Sequence, residues 1–200
     1  MFFHSISSLL IFLPIVFLMY PLLNKRYINA SNLFLLLFSL IFYAYDIPWF
    51  IIPLLISSVV DYLVSKKLIN DKIIIIKKRK IFLIISLVVN IGLLIIFKYS
   101  IFISGSIPFI QNNFQIVKIK SFLLPAGISF YTFQTLSFSI DSYKRKIKSM
   151  PKFLDYFLYV CYFPQLVAGP ILRPNDFFNQ NSELLINNKK GKVNNGFSRI

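Results

Sequence analysis

One cysteine, one histidine, one tryptophan and six glycines are all that 200 residues supply of four residue types often used for cross-links, imidazole chemistry, interfacial anchoring and phosphate loops. The single cysteine, Cys161, excludes an intrachain disulfide and argues against a structural zinc site, leaving it as a small buried hydrophobe. His4 stands just before the first apolar run, at the expected membrane surface, where an interfacial role suits it better than catalysis. The chain holds no Ser/His/Asp set, metal-ligand cluster, Gly-rich phosphate loop or H-E-x-x-H motif. Acidic residues number seven against 22 Lys and Arg, and charged residues make up only 14% of the chain. A soluble domain carries roughly 25%.

What is present is apolar. Hydrophobic residues reach 56%, with a mean hydropathy of +0.69. They fall in long runs rather than alternating faces, which reads as a polytopic membrane protein. Residues 1–200 show no linker between two compositions, so one all-α transmembrane helical bundle is expected. The 23 Phe and 11 Tyr suit lipid-facing and interfacial positions. The net charge of +15 does not indicate nucleic-acid binding, because the charges cluster between apolar spans, as in proteins that set their orientation in a membrane.

A span needs about 20 apolar residues. Spans are expected at about 7–23, 32–45, 47–64, 81–97 and 122–143, the second beginning as far back as Tyr27. Residues 65–80 read as a strongly basic loop and 99–120 as a surface loop with a short interfacial helix. Residues 153–174 read as a broken or re-entrant segment, interrupted by Pro164 and by Gly169-Pro170. The stretches 24–30, 65–80 and 144–152 hold 2, 7 and 5 Lys and Arg, whereas 46–48 and 98–120 hold 0 and 3. That bias puts the first set in the cytoplasm and the N-terminus outside.

Two segments carry groups that a bilayer should reject. On a helix over 122–143, Gly127, Tyr131, Gln134, Phe138 and Asp141 share a face. That face either lines a cavity or substrate path, or packs against other helices with its hydrogen bonds satisfied; spacing alone leaves both open. Asp141 beside Lys144 and Arg145 suggests an interfacial ion pair. In the broken segment, freed N–H groups near Gln165, Gly169 and Pro170, together with Arg173, could hold an anionic group. The alternative is a surface kink with Arg173 reaching lipid phosphate. Asp61, about a turn from Lys66, reads as a structural ion pair near the cytoplasmic face.

The runs LLPAGISFYTFQTLSFSIDSYKRK and FLDYFLYVCYFPQLVAGPILRPNDF, supported by FLPIVFLMY, NLFLLLFSLIFYAYDIPWF and FKY in order, closely resemble the membrane-bound O-acyltransferases. Within that superfamily they are most similar to the alginate and peptidoglycan O-acetyltransferase branch. The resemblance implies a fold of roughly a dozen helices around a tunnel, with an acyl group passed from a cytoplasmic-side donor to a hydroxyl on the far side. The family's catalytic histidine lies downstream of FPQLVAGP, and His4 occupies no matching position. The 200 residues therefore read as the N-terminal part of a longer enzyme, inactive alone, with no catalytic residue to assign. Ser139 and Ser142 stand where the family often has larger apolar residues.

The resemblance implies O-acetylation of a secreted or cell-wall polysaccharide in a bacterial cytoplasmic membrane. No cofactor is expected to stay bound; acetyl-CoA or another acyl thioester is the implied donor. Expected partners are membrane lipid, the polysaccharide acceptor, a separate extracytoplasmic transferase subunit and an acyl-carrier protein, but no nucleic acid. The expected donor path is Tyr131, Gln134, Gln165, Gly169, Pro170 and Arg173, with no metal. Transfer of D-alanine or another acyl group to an envelope polymer is the alternative within the enzyme class. Outside it stand a non-catalytic membrane scaffold, a transporter part and an inactive fragment.

Overall fold

Runs of apolar residues this long satisfy their own backbone only as helices when water is excluded. A computed structural model describes residues 12–26, 28–45, 47–70, 76–99, 125, 127–166 and 172–178. Among these, every regular element is helical and no strand occurs. Helix α1 covers Leu13–Arg26. Helix α2 covers Ile28–Ala44. A 3₁₀ turn at Pro48–Phe50 feeds directly into α3, Ile51–Asn70. Helix α4, Ile76–Leu94, continues through a π-helical turn at Ile95–Tyr99. After Gly127 come α5, Ile128–Tyr143, then α6, Phe153–Cys161, and the four-residue α7, Phe163–Leu166. A last helical turn spans 174–178.

Two helices, Pro48–Ile69 and Lys78–Lys98, are long and apolar enough to cross a membrane, and Ala30–Ala44 is a shorter apolar helix. Helices α3, α4 and α5 pack mutually, while α2 lies between α1 and α6; α6 also touches α3 and α5. Aromatic rings fill the joint between α1, α2 and α7. Phe12 sits 5.2 Å from both Phe42 and Phe163, and the Phe163 N–H donates to Ser39 Oγ at 3.2 Å. Asn32 Nδ2 donates to Asp155 Oδ1 at 2.8 Å, tying α2 to the first turn of α6.

The outward faces are apolar and several inward faces polar. Phe17 is 78% exposed, and Ile52, Val88 and Ile96 are also exposed. Ser57, Asp61, Asn90, Gln134 and Thr135 are fully buried. Such an arrangement suits a hydrocarbon surround, where association rests on packing and interhelical hydrogen bonds rather than on a hydrophobic driving force.

The boundaries depart from the sequence reading at three places. The basic stretch 65–80 is not a loop through most of its length: α3 runs on to Asn70 and α4 begins at Ile76. Lys and Arg are good helix formers, and their long stems let a helix continue past the apolar zone with the charges at its end. Among the described residues of the expected span 122–143, the helix starts at Ile128, directly after Gly127 in a left-handed conformation, φ 71°. In the broken segment the first interruption falls at Tyr162, and Pro164 lies in the first turn of the next helical piece. A proline cannot donate to the preceding turn, so the break precedes it. His4, most of the Ile73–Ile76 run, nearly all of 99–120 and the Gly169-Pro170 break lie outside the described residues.

Candidate functional site

Helix α5 organises the interior. Its first turn is set by Gly127, whose carbonyl accepts from the Tyr131 N–H at 3.0 Å. A Cβ at position 127 would run into the Leu166 carbonyl oxygen of α7. The α7 backbone thus approaches α5 closely at this glycine. One turn on, Tyr131, Gln134 and Phe138 are fully buried. Gln134 Nε2 donates to the Tyr159 carbonyl at 2.6 Å. The Tyr159 hydroxyl donates to the Leu172 carbonyl at 3.1 Å. Phe138 packs on Tyr156 at 4.7 Å, and Tyr159 on Phe177 at 5.3 Å.

The shared face of α5 and the broken segment are therefore brought together, with Tyr159 as the link. Most of this face is packed. Yet, among the described residues, Gln134 Oε1, Gln165 Oε1 and the Tyr156 hydroxyl are buried without a hydrogen-bond partner. Tyr43 meets Tyr131 edge-on, ring centroids 6.5 Å apart. Unpaired buried polar atoms are costly and call for a physical account. Arg173 is exposed, and its carbonyl accepts from the Asp176 and Phe177 N–H groups of the following turn. Asp141 does pair, but with Lys146, at 3.8 Å, rather than with Lys144 or Arg145. The chain reverses at Arg145, φ 58°, which brings Lys146 back toward α5.

Sequence reasoning misread Asp61. Its carboxylate makes no ion pair with Lys66. It accepts from Ser86 Oγ at 2.5 Å and from Asn90 Nδ2 at 2.9 Å. Asn90 Oδ1 in turn accepts from Ser57 Oγ at 2.5 Å and Thr135 Oγ1 at 3.1 Å. Lys66 is exposed, whereas Asp61 faces the α3–α4–α5 seam. The overlooked signal was helical spacing. Ser57, Asp61 and Ser65 recur every fourth residue on α3, as do Ser86 and Asn90 on α4 and Thr135 and Ser139 on α5. Three such stripes can interlock only when three helices meet.

Arg79 closes the same bundle at its basic end. Buried to 5% exposure, it donates to the Leu68 carbonyl at 2.9 Å and the Tyr143 carbonyl at 2.8 Å, with its guanidinium 5.7 Å from the Tyr143 ring. Carbonyls in a last helical turn have no intrahelical donor and attract a cation. Chemically, these interior groups can bind and orient. Among the described residues no group of three or more His, Cys, Asp or Glu could hold a metal ion.

No family model matches the chain, and no solved structure matches it significantly. Curated relatives do. The chain is 34% identical over 182 residues to a probable alginate O-acetylase of Pseudomonas aeruginosa, covering 90% of this chain and 34% of that protein. It is 32% identical over 199 residues to a peptidoglycan O-acetyltransferase of Helicobacter pylori, covering 84% of this chain and 36% of that protein. A probable alginate O-acetylase of Pseudomonas putida is 33% identical, over 90% of this chain and 37% of that protein. The chain thus spans about a third of the length of these relatives. The resemblance read from its sequence is borne out: the chain is a relative of the alginate and peptidoglycan O-acetyltransferases, on the membrane-bound O-acyltransferase pattern.

Proposed function

We propose that the chain forms part of a multi-pass membrane O-acyltransferase that O-acetylates a secreted or cell-wall polysaccharide. The observation that carries this reading is the 34% identity to a probable alginate O-acetylase across 90% of the chain. The outward apolar faces and the polar seam within α3, α4 and α5 support a single transmembrane bundle. The charge bias supports an N-terminus outside the cytoplasmic membrane, with 65–80 and 144–152 in the cytoplasm.

In this reading an acyl thioester such as acetyl-CoA, or an acyl group on a carrier protein, approaches from the cytoplasm. A polymer hydroxyl receives the group on the far side, directly or through an extracytoplasmic subunit. A hydroxyl is a weak nucleophile at neutral pH and needs a base as attack proceeds. No described residue is assigned that role. Tyr131, Gln134 and Gln165 contribute polar atoms to the path, and the unpaired amide oxygens of Gln134 and Gln165 support that use. Arg173, with Gly169 and Pro170 before it, shapes the donor side.

The test is ester-linked acetate on surface polysaccharide from cells with and without the intact gene. Loss of acetate on deletion, restored by the wild-type gene, is expected. Unchanged acetate overturns the reading. Arg173→Ala in the whole protein should lower acyl transfer at least tenfold while shifting detergent-phase thermal stability little; a fall in activity only in step with stability would leave Arg173 a surface kink residue.

A further inference from the structure

Two grooves meet at the turn between α5 and α6. One, of about 440 Å³, is lined by Lys146, Ile147, Lys148, Ser149, Pro151, Asn175 and Phe178. The other, of about 360 Å³, shares Ile147 and Lys148 and adds Arg145. The turn is folded rather than a loose solvated loop. The Lys146 N–H donates to the Asp141 carbonyl at 2.9 Å, Ile147 is only 7% exposed, and the Tyr62 hydroxyl donates to the Pro151 carbonyl at 3.3 Å. The floor is apolar, from Ile147 and Phe178, and the rim is basic.

That basic rim is poorly neutralised. Residues 144–152 hold five Lys and Arg. Lys146 reaches Asp141 only at 3.8 Å and remains 54% exposed, so the pair is long and wet. Arg79 nearby is engaged with helix-end carbonyls and offers little to a ligand. An orientation signal alone requires cations on one side of the membrane; it does not require them around a concave, apolar-floored site built from two separate segments.

We propose that this groove binds the phosphate headgroup of an anionic phospholipid. Lys146 and Lys148 face the phosphate, Ser149 and Asn175 supply hydrogen bonds to its glycerol side, and Ile147 and Phe178 lie against the first acyl carbons. Charge complementarity and the apolar floor favour a lipid over a free phosphate, which would leave that floor uncovered. The proposal does not depend on the acyl-transfer reading.

The test uses the whole protein, delipidated in uncharged detergent and placed in nanodiscs or mixed with defined lipids. Native mass spectrometry then counts retained phosphatidylglycerol against phosphatidylcholine. Preferential retention of phosphatidylglycerol is expected. A cation beside an anionic surface contributes about fivefold in affinity, so K146Q/K148Q should weaken retention on the order of tenfold or more. K66Q/K67Q, which removes equal charge from exposed positions on α3 that do not line the groove, should leave it within about twofold of wild type. K146R/K148R should preserve binding, and separates loss of the site from failure to fold. Equal losses in the two neutralised pairs would overturn the site. Binding of inorganic phosphate or coenzyme A there, with no preference among lipids, would overturn the lipid assignment.

Discussion

Gly127 and Gly92 both lie on helices or at their ends, yet substitution should act on them with opposite sign. At Gly127 a methyl group meets the Leu166 carbonyl and the backbone sits at φ 71°. Gly127→Ala should destabilise by about 1–3 kcal/mol. At Gly92 nothing lies within 4 Å of an added Cβ. Gly92→Ala should stabilise by up to about 1 kcal/mol, through lost unfolded-chain entropy. Thermal unfolding of the two variants in one detergent checks both. Asn90 is the second telling residue, since it donates to Asp61 and accepts from Ser57 and Thr135. Asn90→Ala should cost about 1–3 kcal/mol, above the mean for a single interhelical bond because several partners are left unpaired at once. A melting temperature equal to wild type would show that the network re-forms without it.

At the scale of elements, the decisive contact is one side chain closing two helix ends. Arg79 on α4 holds the carbonyl of Leu68 on α3 and that of Tyr143 on α5. Lysine carries the charge but lacks the planar fork that serves two helix ends. Arg79→Lys should loosen both ends, costing roughly 1–3 kcal/mol and speeding amide exchange near residues 68 and 143–146. Hydrogen–deuterium exchange read by mass spectrometry measures this directly. Exchange unchanged at both ends would mean that packing, not the arginine, holds them. The same end-capping favours the extension of α3 into a stretch that composition alone reads as loop.

For the whole molecule, orientation is the property most open to test. In a Cys161→Ser background, cysteines introduced at Lys72 and Lys148 should resist impermeant thiol reagents in intact cells and label after permeabilisation. Labelling of both from outside would reverse the topology. Cys161 itself is buried and its thiol donates to the Phe157 carbonyl at 2.9 Å, so its replacement by serine keeps a comparable donor.

Composition and run length were enough to establish the helical, apolar character of the chain, because a backbone without water has no other local solution. The relatives were legible too, since the runs around Gln134 and Pro164 are long and specific. Tertiary structure alone decided which polar groups meet. Asp61 is nearer in sequence to Lys66 than to Asn90, and a linear reading pairs it with the lysine. The rotation of α3 turns it instead toward α4 and α5, where Ser86 and Asn90 supply donors. Likewise Tyr159, unremarkable in the sequence, joins α5 to the broken segment because its hydroxyl reaches Leu172 while its carbonyl receives Gln134. Spacing along one helix specifies a face; which neighbour that face meets depends on how several helices pack at once.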